Sequence, residues 1–116
     1  MDRTDQLPIL DRTELDEICD GDDPLRGHLT TLFRDQAHSA ITGLTAAIAA
    51  GDAAVIHRIA HALTGSAAIL GARRLAAISS KLCDDAAGNR LADAPRQLTV
   101  LEHVYGLTSV ALSRAG

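Results

Sequence analysis

The residues of this chain best suited to chemistry are two histidines one helical turn apart, His57 and His61, within the segment HRIAHALTGSAAILGA (57–72). The segment has helical patterning, yet it places Gly65 four residues after His61. Glycine inside a helix costs roughly 0.5–1 kcal/mol relative to alanine, so a glycine that does not end the helix indicates a close approach by another group. Because residues four apart lie side by side on a helix, Gly65 leaves the approach to the His61 ring open. We therefore predict an imidazole presented to a large reactant.

His61 is predicted to be a nucleophile. A neutral imidazole carries a lone pair on one ring nitrogen and can attack without a partner base. The residues predicted to lie next to the reacting His61 ring on the helix surface are Arg58, Thr64 and Gly65. A partner molecule would also contact the ring of His57 and the small residues Ala54 and Ala68 on the same face.

The same two histidines could instead share a metal ion, because their spacing places both rings on one helix face. However, no carboxylate or cysteine on this helix completes a ligand set, and His28, His38 and His103 lie elsewhere in the sequence. We predict no metal site.

Five helices are predicted to position these residues. Proline is absent from residues 25–94 and no strand-length alternation occurs, so the helical period dominates. A short helix follows an Asp11 cap, and the second helix runs from an Asp23 cap to Gly51. The third covers about 53–70, the fourth about 72–87, and the fifth opens at Asp93. Short connections predict an all-α fold, an antiparallel up-and-down four-helix bundle with a short extra N-terminal helix acting as a lid.

The third helix is predicted to turn His61 towards solvent. At about 100° per residue, its apolar positions form one arc about 140° from His61. That predicted core face contains Val55, Ile59, Ala62, Leu63, Ser66 and Leu70. Ser66 is expected to bond a carbonyl one turn back.

Composition excludes several partner classes. The net charge is −4 and the basic residues are scattered, which argues against nucleic acid. Neither a charged-then-apolar leader nor an apolar run near ~20 residues is present, so we expect a cytoplasmic protein with no membrane partner. Cys19 and Cys83 match no metal or redox spacing and are predicted to be buried. We expect one domain over residues 1–116, with frayed first and last residues, and a monomer, because a closed bundle needs no partner for stability.

The segment AHALTGSAAILGA, from Ala60 to Ala72, resembles the signature of the histidine phosphotransfer (HPt) domains of multistep two-component signalling. That signature reads alanine-histidine, a variable residue, an apolar residue, Lys-Gly-Ser and then Leu-Gly-Ala. The following RRLAAISSKLCDDA is similar to the next helix of that family. The resemblance is specific over about 30 residues, while the flanking helices agree only in pattern.

The resemblance implies a four-helix bundle whose exposed histidine, His61, relays a phosphoryl group between aspartates of receiver domains. The implied partners are receiver domains of response regulators and a histidine kinase or hybrid kinase. The receiver brings the Mg²⁺, so no cofactor of its own is expected, and the protein is a carrier phosphorylated transiently on histidine, not an enzyme. Its docking patch is expected around His61, with contributions from the short first helix and the second helix.

One position departs from the signature: Thr64 stands where the family usually has lysine. A hydroxyl donates a hydrogen bond but supplies no charge to a phosphoryl group. Arg58 is the expected substitute cation, and Lys81 or Arg74 from the next helix are alternatives. The departure leaves open a second function, a phosphorylation-independent adaptor that binds a receiver or kinase through the same face.

Overall fold

A computed structural model describes residues 3–115 of the chain. Within them, a 3-10 helix, Arg3–Gln6, precedes five α-helices. The α-helices are α1 (Arg12–Cys19), α2 (Asp23–Ala50), α3 (Ala53–Ile69), α4 (Arg73–Ala87) and α5 (Ala94–Ala115).

Aspartate caps begin the first three α-helices. Asp11 accepts a hydrogen bond from the backbone N–H of Thr13 in α1, and Asp52 accepts one from Val55 in α3. At α2 the prediction is wrong by one residue, because Asp22 accepts from the N–H of Leu25 and Asp23 is already helical. Such caps satisfy N–H groups that have no partner within the helix.

The all-α bundle predicted from the sequence is confirmed. Helix α3 packs against α2 and α4, and α5 closes the ring by packing against α4 and α2. Gly51, with φ +66°, ends α2 and leaves one further residue before α3 begins, so α2 and α3 form a tight hairpin. Buried side chains from all five α-helices make one core cluster, which includes Leu15, Leu44, Ile56, Leu75 and Leu101.

The N-terminal segment, residues 5–11, lies across the α3–α4 turn. The N–H of Asp11 donates to the carbonyl of Gly71 at 2.7 Å, and Arg74 donates from its side chain to the carbonyls of Leu7 and Asp5. Gly71 has φ +76°, and a Cβ there would lie 2.0 Å from the Asp11 carbonyl oxygen. The turn therefore requires glycine for both its backbone angle and the close approach. Residues 1, 2 and 116, which the predicted frayed ends include, lie outside the described residues.

The buried face of α3 differs from the predicted one. The residues of α3 that are buried are Ile56, Ala60, Leu63 and Ala67, while Ala62 is exposed. At about 100° per residue this face is rotated by roughly 80° from the predicted arc. The error arises because two of the four buried residues, Ala60 and Ala67, are alanines, which give a weak hydrophobic signal. No helix within residues 3–115 combines the length and apolarity needed to cross a bilayer.

Candidate functional site

His61 lies midway along α3 with its side chain exposed, as predicted. Within the described residues, its ring makes no hydrogen bond or ion pair. Its ring contact is with His57, at a centroid separation of 6.0 Å and an interplanar angle of 21°. The rotation of the buried face leaves His61 exposed, because it lies about 140° from the centre of either arc. The imidazole is open to solvent and to an approaching molecule.

Gly65 leaves open space beside that ring. A Cβ built at Gly65 would meet no atom within 4 Å, whereas one at Gly43 would lie 2.9 Å from Ile59 Cδ1. Packing within the chain therefore does not require glycine at position 65. Gly27 and Gly106 have the same freedom, so it is the position of Gly65 one turn from His61 that distinguishes it.

The hydroxyl of Thr64, the residue that stands where the resembled signature has lysine, is already engaged. Thr64 Oγ1 donates to the carbonyl oxygen of Ala60 at 2.8 Å. This is a common local bond of threonine in a helix. In this geometry Thr64 offers an incoming anion neither charge nor a free hydroxyl hydrogen.

Arg58 is the cation that the structure leaves available near His61. Its side chain is exposed on α3, and within residues 3–115 it makes no hydrogen bond or ion pair. Lys81 pairs with Asp85 at 3.6 Å and lines a groove that contains α4 and α5 residues but none from α3. Arg74 is bound to carbonyls of the N-terminal segment. The structure therefore does not support Lys81 or Arg74 as the substitute cation, because neither side chain is directed to the α3 surface.

His57 is exposed but fixed to α4, a contact that the sequence did not predict. Its Nδ1 lies 3.1 Å from the backbone oxygen of Cys83 and 3.2 Å from Cys83 Sγ. The thiol in turn lies 3.7 Å from the His57 carbonyl oxygen, to which it can donate. Burial raises the pKa of the Cys83 thiol, and the charge of Asp84 adds to the increase. Cys83 is buried as predicted. The sequence places Cys83 on the inner face of α4, which is the only signal it gives of the contact with His57.

A groove between α2 and α3 adjoins the histidine face. It encloses about 480 Å³, and its walls include Gln36, Ser39, Arg58 and Ala62. Ser66 Oγ donates to Gln36 Oε1 at 3.0 Å across the groove, not to a carbonyl one turn back as expected. A second, apolar groove also contains Gln36 and Ser66, with walls that include Leu29, Leu32, Phe33 and Ile69.

The predicted partner surface is accessible on α3, where Ala54 and Ala68 are both exposed. Neither groove contains a residue of α1. Helix α1 packs against the start of α2, where Arg26 pairs with Asp16, and it reaches the α3–α4 turn, where Arg73 donates to Asp11 and Glu14 at 2.9 and 2.6 Å. The grooves beside His61 are therefore formed by α2 and α3. Among residues 3–115 there is no group of three or more His, Cys, Asp or Glu side chains that could hold a metal ion.

Comparisons with known proteins support the family and the fold. The model of the Hpt domain family matches residues 28–109, a range that includes His61 and all of α3 and α4. Histidine-containing phosphotransfer protein B (HptB) from Pseudomonas aeruginosa PAO1 has a similar crystal structure, with a TM-score of 0.88 and 24% sequence identity. The similarity covers 93% of this chain and 94% of that one. At 24% identity, this similarity shows that the two proteins share a fold. No curated protein matches the chain.

Proposed function

The chain belongs to the Hpt domain family, and we propose that His61 accepts a phosphoryl group from the aspartyl phosphate of one receiver domain and passes it to an aspartate of another. The observation that carries the proposal is the uncovered His61 ring beside the open position at Gly65, and the resemblance of residues 60–72 to the family signature supports it. A receiver must bring its phosphoryl group to the ring from outside, and this surface offers such an approach.

The transfer needs little from this chain besides a positioned nucleophile. The lone pair of the unprotonated ring nitrogen attacks phosphorus, an N–P bond forms as the acyl P–O bond breaks, and the aspartate leaves as a carboxylate. The proton on the other ring nitrogen remains there. The return step reverses these changes on the second receiver. Catalysis of phosphoryl transfer rests on in-line positioning and charge stabilisation.

We propose that the charge stabilisation is shared between the partner and Arg58. The receiver domain supplies Mg²⁺, so this chain needs no cofactor of its own. Arg58 lies three residues before His61 and its guanidinium is uncommitted, so it can donate charge-assisted hydrogen bonds to the phosphoryl oxygens. Replacing Arg58 with alanine should slow transfer from a phosphorylated receiver, and an unchanged rate would rule this role out.

The docking surface in this proposal comprises the exposed face around His61 and the two grooves between α2 and α3. Leu32 and Ile69 are 43% and 58% exposed at the apolar groove, where a receiver could bury them. The partners are receiver domains of response regulators and a histidine kinase or hybrid kinase, with the protein acting as a monomer in the cytoplasm.

A transfer assay tests the proposal. Purified receiver domains are phosphorylated with acetyl phosphate, freed from it, and incubated with the wild-type protein, His61→Gln or the control His103→Gln. His103 is exposed on α5, which does not adjoin the grooves. Wild type and His103→Gln should gain an acid-labile, base-stable phosphate, and His61→Gln should gain none. Phosphate on His61→Gln at the wild-type level would contradict the proposal.

The engaged hydroxyl of Thr64 favours one alternative, a phosphorylation-independent adaptor. Without the family lysine, the same surface could bind a receiver or kinase and never accept phosphate. In that case the wild-type protein would bind a receiver in the assay but remain unphosphorylated, and His61→Gln would bind equally well.

A further inference from the structure

We propose that His57 is a positioning residue for His61: anchored to α4 at Cys83, its ring holds the His61 ring in the orientation from which it reacts. The inference rests on the proposed function, since it concerns how the reacting ring is oriented. The family signature begins at Ala60 and does not include His57.

The anchor on Cys83 fixes the orientation of the His57 ring. A backbone carbonyl only accepts hydrogen bonds, so the Nδ1 that lies 3.1 Å from the Cys83 oxygen carries the proton. The Cys83 sulfur lies 3.2 Å from the same nitrogen, where it can share the Nδ1 proton as a weak acceptor, and the thiol itself can donate to the His57 carbonyl oxygen at 3.7 Å. A histidine bonded in this way through one nitrogen has a defined tautomer and ring plane.

The His61 ring contacts the anchored His57 ring instead of a hydrogen-bonding partner. Side chains on a helix lean towards its N-terminus, so the His61 ring leans back over the turn that carries His57. The centroid separation of 6.0 Å and the 21° angle describe two roughly parallel rings within the usual range of aromatic pairs. His61 is otherwise exposed and unbonded in the described part of the chain. The His57 ring is therefore the feature that limits its rotation.

The size of the effect follows from the conformers that become available without that ring. In a helix, two χ1 wells are populated, and χ2 of histidine is broadly twofold, which gives about four orientations. If one of them is productive, removal of the His57 ring should reduce the transfer rate by up to about fourfold. Because His57 also belongs to the predicted partner face, the half-saturating receiver concentration is measured separately, and the rate at saturating receiver is the quantity that reports positioning.

Two substitutions of His57 distinguish positioning of the His61 ring from a purely structural hydrogen bond between α3 and α4. His57→Asn retains an N–H group near the place of Nδ1 and can still donate to the Cys83 carbonyl, but it lacks the ring. His57→Ala lacks both. His103→Ala is the matched control on α5. Thermal unfolding of each variant verifies that it is folded before transfer is measured.

We expect both His57→Ala and His57→Asn to slow transfer at saturating receiver by about three- to fourfold, independently of any change in the half-saturating concentration. In isotope-labelled protein, χ1 couplings of His61 should report one dominant rotamer in wild type and averaging in both variants. A wild-type rate in His57→Asn, or His61 couplings unchanged in both variants, would overturn the proposal. Should the wild-type protein accept no phosphate, the proposed function fails, and the couplings alone decide whether His57 positions His61.

Discussion

Substitution of Gly65 should stabilise the protein and impair its function at once. Gly65 lies inside α3 and a Cβ there would meet no atom within 4 Å. Gly65→Ala should therefore raise the free energy of unfolding by about 0.5–1 kcal/mol, the difference in helix propensity between the two residues. For a chain of this length that corresponds to an increase in Tm of about 2–5 °C.

The same substitution should slow phosphotransfer, because the new side chain leans over the turn that carries His61. A methyl group projects about 1.5 Å from the backbone, and a misplacement of about 1 Å at a reacting centre can cost about 10²-fold in rate. We expect a loss of about tenfold in Gly65→Ala, where the partner can shift, and about 10²-fold or more in Gly65→Leu.

Gly106→Ala is the matched control, since a Cβ at this position in α5 also meets nothing. It should raise Tm by a similar amount and leave transfer unchanged. Unfolding is followed by circular dichroism, and transfer by the rate of phosphate loss from a receiver. Wild-type transfer in Gly65→Leu would refute the reasoning about access to His61. A lower Tm in Gly65→Ala would show that the glycine serves the fold instead.

Three further predictions concern stability. Gly71→Ala should lower the free energy of unfolding in urea by at least about 1–2 kcal/mol, because φ is +76° and the Cβ would lie 2.0 Å from the Asp11 carbonyl oxygen; an unchanged urea midpoint would contradict this. The hydrogen bond from Arg73 and that from the Thr13 backbone hold the pKa of Asp11 below its ordinary value, so this carboxylate stabilises the fold above about pH 4 and the stabilisation is lost as pH falls through the lowered pKa. Asp11→Asn, which keeps a capping side chain, should therefore be less stable than wild type at pH 6, with the difference closing in acid; a difference independent of pH would refute the assignment. Ile56→Ala should cost about 2–5 kcal/mol because Ile56 is fully buried, and urea titration should show a smaller loss for Val55→Ala, which is only partly buried.

The parts of the fold that depend on local signals could be predicted. Capping aspartates, glycine at Gly51 and Gly71, and the apolar period indicate where helices begin, end and turn, and the short connections then require a bundle. The helical period of apolar residues also predicted that His61 is exposed. This prediction is correct although the buried face of α3 was predicted wrongly, because His61 lies far from both the predicted and the observed buried face.

Contacts between helices could not be predicted in the same way. Periodicity indicates which face of a helix is buried but not which residue of a neighbouring helix it meets. The bonds of His57 to Cys83, of Ser66 to Gln36 and of Arg74 to the N-terminal segment therefore appear only in the structure. These contacts distinguish Arg58, which is uncommitted, from Arg74, which the sequence offered as an alternative.

The most direct test of the central claim is to locate the phosphate on the protein after incubation with a phosphorylated receiver. Two-dimensional ³¹P–¹H NMR of the isolated product should show a phosphoramidate signal coupled to ring protons of His61. Phosphate coupled to a different residue, or none on the folded wild-type protein with receivers that phosphorylate another HPt protein under the same conditions, would contradict the account.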